Sequence, residues 1–226
     1  MLFREAVEGV SEPARGKILT RATAPLLVGL LLVAFNLRPA ISSVPPVLET
    51  IRQDLGFGRA YLGLLTTIPV LCMSVLALVA PKVRERIGVE RAVLWSVVLI
   101  GLAVAGRLAA GQPGVLFITT LVAGVGIAVA QSLLPAVVKG WFPERAALVT
   151  GLYTVGITGG LALAALATVP IERVLGGFWP GALAAWSLLA AVAAVFWIPL
   201  ASRARSAPRR EGARERARLP WRRNRR

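Results

Sequence analysis

The sequence predicts an all-α membrane protein with six transmembrane helices. Hydrophobic residues make up 56% of the 226 positions and charged residues 16%, and the mean hydropathy of +0.71 is well above that of soluble domains. Six segments are continuously apolar over about 20 residues, the length that a helix needs to cross a hydrocarbon layer about 30 Å thick. Barrel strands would be shorter and would alternate in polarity.

These segments divide the chain into three regions. Residues 1–22 form an N-terminal tail, residues 23–200 the helical bundle, and residues 201–226 a basic tail. The predicted spans are 24–46, 58–80, 92–110, 114–138, 146–169 and 178–200. The first span lies too far from residue 1, and is too polar in its second half, for a signal peptide. The connectors "APKVRERIGVER", "AAGQPG", "KGWFPER" and "PIERVLGG" are short and rich in turn-forming or charged residues, which favours hairpin-like turns.

The distribution of Lys and Arg predicts the orientation of the bundle. With the N-terminus inside, 21 of the 26 basic residues fall in inner segments. Four fall in outer segments, namely Arg52, Arg59, Arg107 and Arg173, and the remaining one is Arg38. Basic residues are retained on the cytoplasmic face of a membrane, so both termini are expected in the cytoplasm.

The net charge of +15 therefore reflects topology and the basic tail, and it gives little support to nucleic-acid binding. The tail itself fits an RNA-binding arm, a segment attracted to anionic lipid headgroups, or a disordered cytoplasmic linker. We favour the linker and expect no nucleic-acid partner.

The residue types exclude several chemistries. There is one cysteine, Cys72, and no histidine, so the chain cannot form an internal disulfide or a histidine-based metal site. No glycine-rich loop is followed by Lys and Ser or Thr, so ATP-driven pumping is not expected. No nucleophile, base and orienting group occur together in the spans, so we expect no enzyme, no catalytic residues and no cofactor.

A charged residue interrupts the first span, in the stretch "AFNLRPAISSVPP" at residues 34–46. Arg38 lies about 21 Å along the helix from residue 24. Such a residue either faces the bundle interior or extends its side chain to the outer headgroups, and its depth favours the interior. Pro39, Pro45 and Pro46 each remove an amide donor, and Pro39 frees the carbonyl of Phe35, so a kink or local unwinding is predicted.

These features predict a polar pocket around one fixed positive charge. Asn36, Ser42 and Ser43 add uncharged polar groups, and non-helical backbone at membrane depth is tolerated only where protein buries it or it lines a cavity. No acidic residue lies inside a predicted span, because Glu49 and Asp54 fall in the outer loop. A guanidinium matches carboxylate, nitrate-like or phosphate oxygens, so an anionic ligand is the expected partner, although waters or helix carbonyls would also serve.

Two stretches carry a family resemblance. "AFNLRPAISSVPPVLETIRQDLG" resembles the opening helix of the cyanate and 2-nitroimidazole permease family of the major facilitator superfamily, and "GVGIAVAQSLLPAVVKGWFPERAALVTGLYT" is similar to its fourth and fifth helices. "ARLPW" at 217–221 resembles the linker before the seventh helix. The resemblance implies the N-terminal six-helix half of a transporter whose two halves bind substrate between them. The chain is then a truncated product, which we favour, a member of a split pair, or a self-associating half.

The resemblance also implies residue roles. Asn36, Arg38 and Pro39 match the first-helix motif, which points to binding of an anion or a polarised small molecule. Gln131 stands where the relatives carry Asn in the fourth helix. In the inner loop, Glu85, Arg86 and Gly88 resemble a degenerate form of the superfamily's gating motif, although basic inner loops also arise from topology alone.

The fifth span has small residues at four-residue spacing. Thr150, Thr154 and Thr158, together with Gly156 and Gly160, favour close helix packing and hydrogen bonds from threonine to the helix backbone. The same interpretation applies to Gly124 and Gly126. Tyr153 is the pocket candidate here, because its hydroxyl needs a partner in hydrocarbon.

The predicted function is transport of a small anionic or polar solute across the bacterial inner membrane by alternating access. No acidic residue or histidine in the spans would carry a proton, so the coupling ion is left open. The alternatives are a non-transporting truncated or split membrane protein, and a module whose basic tail binds anionic lipid or a partner. Besides the solute and lipid, the expected partner is a second six-helix half.

Overall fold

The computed structural model describes residues 23–56, 58–76 and 80–203. Its regular elements in these ranges are all helical, which confirms the all-α prediction. The helices are α1 (Ala24–Asn36), α2 (Pro39–Ser42), α3 (Leu48–Leu55), α4 (Arg59–Leu76), α5 (Ala80–Ile87), α6 (Val89–Ala105), α7 (Pro113–Trp141), α8 (Ala146–Val174), α9 (Trp179–Ala184) and α10 (Ser187–Arg203), with 3-10 turns at Pro45–Val47, Gly106–Ala109 and Pro143–Arg145. The predicted N-terminal tail, and the basic tail from residue 204, lie outside the described residues.

Five helical runs in the described ranges are long and apolar enough to cross a membrane. They are Ala24–Leu55, Val89–Ala109, Pro113–Trp141, Pro143–Val174 and Trp179–Ser202. The predicted second span corresponds to α4, which is not among the five. The chain is thus a multi-pass membrane protein, and five of the six predicted spans match such a run.

The first span is interrupted where the prolines predict it. α1 ends at Asn36, and a turn at residues 37–38 leads into α2, which begins at Pro39. The predicted end at residue 46 is wrong, because the helical run continues to Leu55. Pro45 and Pro46 lie at the start of a 3-10 turn, where a missing N–H costs little. Glu49 and Asp54, expected in a loop, lie on α3.

Two other predicted connectors are helical. "APKVRERIGVER" forms α5 and the start of α6, joined at Gly88, whose φ of +86° is readily adopted only by glycine. The fifth span, expected to end at residue 169, continues through Pro170 to Val174. Membrane helices tolerate an internal proline because neighbouring helices and local adjustments satisfy the freed carbonyl.

The long helices pack as a series of neighbouring pairs. α4 packs on α7, α7 on α6, α6 on α10, α10 on α1, and α1 on α8. α7 and α6 approach closely at Gly126, where an added Cβ would lie 2.9 Å from the carbonyl oxygen of Ser96. This contact supports the packing interpretation of the α7 glycines.

Tryptophans tie the helices together at both ends of the bundle. At the end formed by the start of α6, the indole N–H of Trp197 donates to the carbonyl oxygen of Glu90 over 2.9 Å, and its ring stacks on Trp141 with centroids 5.2 Å apart. At the opposite end, the indole of Trp179 donates to the Asp54 carboxylate over 2.8 Å. The second contact joins α9 to α3, which continues the first helical run.

Candidate functional site

The break in the first span lies against α8. Pro39 has no N–H to bond the carbonyl of Phe35, and that carbonyl faces Gly160. A Cβ at position 160 would collide with the Phe35 oxygen, so the two backbones touch only because this residue is glycine. This contact fixes the position of the break along the axis of α8.

Asn36 and Arg38 flank this contact. Asn36 is 2% exposed, and its Nδ2 has no hydrogen-bond partner in the described part of the chain. Arg38 is partly buried, and its guanidinium forms no hydrogen bond or ion pair with a described residue. Its carbonyl oxygen accepts hydrogen bonds from the backbone N–H groups of Ile41 and Ser42, and a further one from the Ser42 hydroxyl over 2.8 Å. An amide donor and a cationic side chain thus have no partner among residues 23–56, 58–76 and 80–203.

Gln131 and Tyr153 lie on the two long helices next to α1. Gln131, on α7, has a buried Oε1 atom without a hydrogen-bond partner among the described residues. Tyr153, on α8, is partly buried against the main apolar core. Both residues lie beside the broken span, because α1 and α2 contact α7 as well as α8.

Residue counts give the positions of these residues along their own helices. Asn36 lies about 18 Å along α1, Gln131 about 15 Å before the end of α7, and Tyr153 about 10 Å along α8 from its start. Since Gly160 marks the level of Phe35, Tyr153 lies about 10 Å nearer the start of α8 than the break. Tyr153 is therefore about two helical turns from the level of the break, whereas Asn36 and Arg38 lie at the break itself.

The proposed gating residues lie apart from this region. Glu85 and Arg86 are exposed at the end of α5, and Gly88 joins α5 to α6. They line a surface pocket of about 590 Å³, together with Arg84, Ile87, Val89 and Arg91. This pocket lies at the end of the bundle where Trp197 bonds to Glu90. It is about half the thickness of a membrane away from the break.

Sequence reasoning missed the most deeply buried cation. Arg107, assigned to an outer segment, is fully buried on the 3-10 turn that follows α6. Its Nη2 donates to the carbonyl oxygen of Ala40 over 2.8 Å, whereas its Nε and Nη1 have no partner in the described ranges. An arginine at the end of an apolar helix usually lies at the membrane interface, so its position alone gave no signal.

One acidic residue is also buried, contrary to expectation. Glu172 was placed in a connector, but it lies in the last turns of α8 and is 8% exposed. The helical run Pro143–Val174 therefore contains a buried acidic residue beyond residue 169, the predicted end of the fifth span. Glu172 forms no ion pair with Arg38 or Arg107 in the described part of the chain.

Comparison with known proteins agrees with this architecture. Residues 26–226 match the family model described as Major Facilitator Superfamily. The chain is 38% identical over 174 residues to an uncharacterised transporter of Bacillus subtilis (strain 168), covering 77% of this chain and 43% of that protein. It is 35% identical to the 2-nitroimidazole transporter of Escherichia coli (strain K12) over 77% of this chain and 44% of the relative.

A third relative extends the pattern. The cyanate transport protein of Escherichia coli (strain K12) is 35% identical over 172 residues, which cover 76% of this chain and 44% of the relative. The chain thus spans less than half the length of each of these transporters. On the family match over residues 26–226, and on its apolar helical runs, the chain belongs to the Major Facilitator Superfamily.

Proposed function

We propose that this chain is the N-terminal half of a secondary transporter that moves a small anionic or polar solute by alternating access. Two relatives are named for cyanate and 2-nitroimidazole transport, and cyanate-like anions and nitro compounds define the solute class proposed for this chain. Because the chain spans 43–44% of these relatives, the activity of the whole transporter requires a second half in this proposal.

One observation carries the proposal: a broken membrane span holds an arginine without an acidic partner beside two buried amides that lack partners. Arg38 forms no ion pair with a described residue, and Asn36 Nδ2 and Gln131 Oε1 are buried and unbonded. A permanently charged guanidinium inside a bundle favours an anion or the partially negative oxygens of a nitro group. Buried polar groups without partners are rare and often mark binding sites.

The two amides suit a solute with both hydrogen-bonding roles. The Nδ2 group of Asn36 can donate, and the Oε1 atom of Gln131 can accept. Cyanate offers acceptor atoms only, whereas 2-nitroimidazole offers nitro oxygens and a ring N–H. In this proposal Arg38 and Asn36 bind the negative atoms, Gln131 distinguishes solutes that carry a donor, and Tyr153 contacts the solute from the inner side.

The exposed surface of α8 supports docking of a second half. In the most apolar stretch of this helical run only 17% of the residues are buried, compared with 39–50% in the other four candidate spans. The exposed positions include Thr154 and Thr158, whose hydroxyls already bond to Thr150 and Thr154 carbonyl oxygens. A helix face made of small residues permits close packing against another helix without unpaired polar groups.

The proposed orientation places both termini in the cytoplasm of a bacterial inner membrane, as the positive-inside rule indicates. Residues 201–226 then begin the linker to the second half, and residues 1–22 form the cytoplasmic N-terminal tail. Glu85, Arg86 and Gly88 lie on the cytoplasmic side in this orientation, where they would gate the inward opening.

Binding by the purified chain tests the proposal. The chain in lipid nanodiscs is titrated with radiolabelled cyanate in equilibrium dialysis, and saturable binding is expected. Arg38→Ala is expected to abolish saturable binding at unchanged expression and helicity, and Arg38→Lys to keep a weakened affinity because Lys lacks the planar fork. Arg173→Ala is the control, since Arg173 is exposed near the outer end of α8.

The control also corrects for covalent reaction of cyanate with amines, because both alanine variants contain the same lysines. Unchanged saturable binding by Arg38→Ala would refute the pocket assignment. Absence of saturable binding in the unaltered chain, with and without a co-expressed second half, would favour the non-transporting alternative.

A further inference from the structure

The guanidinium of Arg107 lies next to the break, in contact with α2. Arg107 is on the 3-10 turn Gly106–Ala109, yet it is 0% exposed, because this turn packs on α9 and α7. Its Nη2 reaches the carbonyl oxygen of Ala40 on α2, a residue 67 positions earlier in the chain. The contact joins the outer end of the third span to the interrupted part of the first.

Ala40 has a carbonyl that the main chain leaves without a donor. In an uninterrupted helix the N–H of Val44 would bond to it, but here that N–H bonds to Ile41, and the N–H of Ser43 bonds to Pro39. Pro45 has no N–H to offer. Among the recorded hydrogen bonds of the described residues, Arg107 alone donates to the Ala40 oxygen.

We propose that Arg107 is a positioning residue for the Arg38 site: by bonding the free Ala40 carbonyl, it holds the break open and fixes the backbone that carries Asn36 and Arg38. This inference rests on the proposed function. Gly160 limits the break from the α8 side at Phe35, and Arg107 secures it from the α6 side at Ala40, with Asn36 and Arg38 between the two contacts.

The burial of Arg107 argues against an ordinary packing role. Removing a guanidinium from water is costly, and two of its three nitrogens have no partner in the described ranges. An apolar residue of the same length would pack there at lower cost if filling space were the only requirement. The bond to Ala40 is the one interaction that such a residue could not replace.

The test compares Arg107→Met with Arg107→Lys in the full chain in nanodiscs. Met is a flexible, unbranched apolar side chain that donates no hydrogen bond, whereas Lys can still donate to Ala40. Two probes are used, cyanate and the neutral form of 2-nitroimidazole, and affinities are expressed per folded molecule. Arg107→Met is expected to weaken both affinities by a similar factor, about tenfold, and Arg107→Lys to stay within about threefold of the unaltered chain.

Each outcome decides the matter. Unchanged affinity of folded Arg107→Met for both probes would assign Arg107 a purely structural role and overturn the inference. A loss of affinity for cyanate but not for 2-nitroimidazole would show that Arg107 acts only through its charge. This result would also overturn the inference. If Arg107→Met does not fold, Arg107→Leu, which also lacks a hydrogen-bond donor, replaces it, with the same decision on the two probes. Arg173→Met, on an exposed arginine, is the matched control.

The two proposals fail separately. If Arg38→Ala binds as the unaltered chain does, the proposed function fails regardless of Arg107. If Arg38→Ala loses saturable binding while Arg107→Met keeps its affinity for both probes, only the positioning role is lost.

Discussion

The two arginines near the break in the first span differ in burial and in partners. Arg107 is fully enclosed and bonded to a backbone carbonyl, whereas Arg38 is partly buried and unbonded within the described residues. A side chain already engaged by the protein holds structure, and an unengaged one remains available to a ligand. This contrast is why Arg38 is assigned to the solute and Arg107 to the backbone.

Gly160 gives a sharp stability test at the same scale. Gly160→Ala places a Cβ against the Phe35 carbonyl oxygen, so we expect destabilisation of about 1–3 kcal/mol, as for other overpacked sites. Thermal unfolding in detergent, followed by circular dichroism, measures it. Gly151→Ala is the control, because a Cβ there meets nothing within 4 Å. Equal melting temperatures for the two variants would contradict the close backbone contact.

Trp197 provides a second residue-level prediction. Trp197→Phe removes the indole N–H that bonds to the Glu90 carbonyl and leaves a gap in a fully buried site. We expect a loss of about 2 kcal/mol or more, since a lost hydrogen bond and a cavity both contribute. Trp95→Phe should change stability little, because Trp95 is 65% exposed. The free energies of unfolding of the two variants, measured from guanidinium unfolding curves, test this prediction.

At the scale of elements, the interruption between α1 and α2 shows which features follow from the local sequence and which depend on tertiary packing. The break at Pro39 was predictable, because a missing N–H acts within one turn of the same helix. The burial of Arg107 was not, because it depends on α9 and α7 packing over the turn that carries it. Likewise, Pro170 and the charge of Glu172 indicated an end to the fifth span, but the helix runs to Val174.

Restoring an N–H to the break tests its role. Pro39→Ala supplies the amide that Phe35 lacks, so the first span is expected to straighten, with stability kept or raised and solute affinity lowered at least about tenfold. Dialysis binding and thermal unfolding on the same sample give both quantities. Pro199→Ala is the matched control, because Pro199 also lies inside a helix but at an exposed position of α10. Retained affinity in Pro39→Ala would mean that the solute does not require the interruption.

At the scale of the whole molecule, the helix order leaves the two sides of the bundle unequally covered. α6 and α10 pack on two long helices each, whereas α8 packs mainly on α1 and leaves most of its surface exposed. The sequence indicated small residues on this helix, and their close packing is seen against α1. Which of its faces would remain uncovered depends on helix order in space, which hydrophobic patterning alone does not specify.

A bulky substitution tests the docking surface. Thr158→Trp is expected to block association with a co-expressed second half, because a large side chain prevents close approach of helices. Leu188→Trp on α10, also an exposed position, should leave association intact. Affinity co-purification of the two halves through a tag on one of them measures the difference. Equal recovery for both variants would place the contact elsewhere on the bundle.

The contact between Gly160 and the Phe35 carbonyl also couples the motion of α1 to that of α8. A lengthwise shift of α8 would move Gly160 away from the Phe35 oxygen, at a point where a residue with a Cβ has no room. The two helices are therefore expected to move together as one rigid unit. In the proposed transporter, this unit would move relative to a second half without separation of α1 from α8.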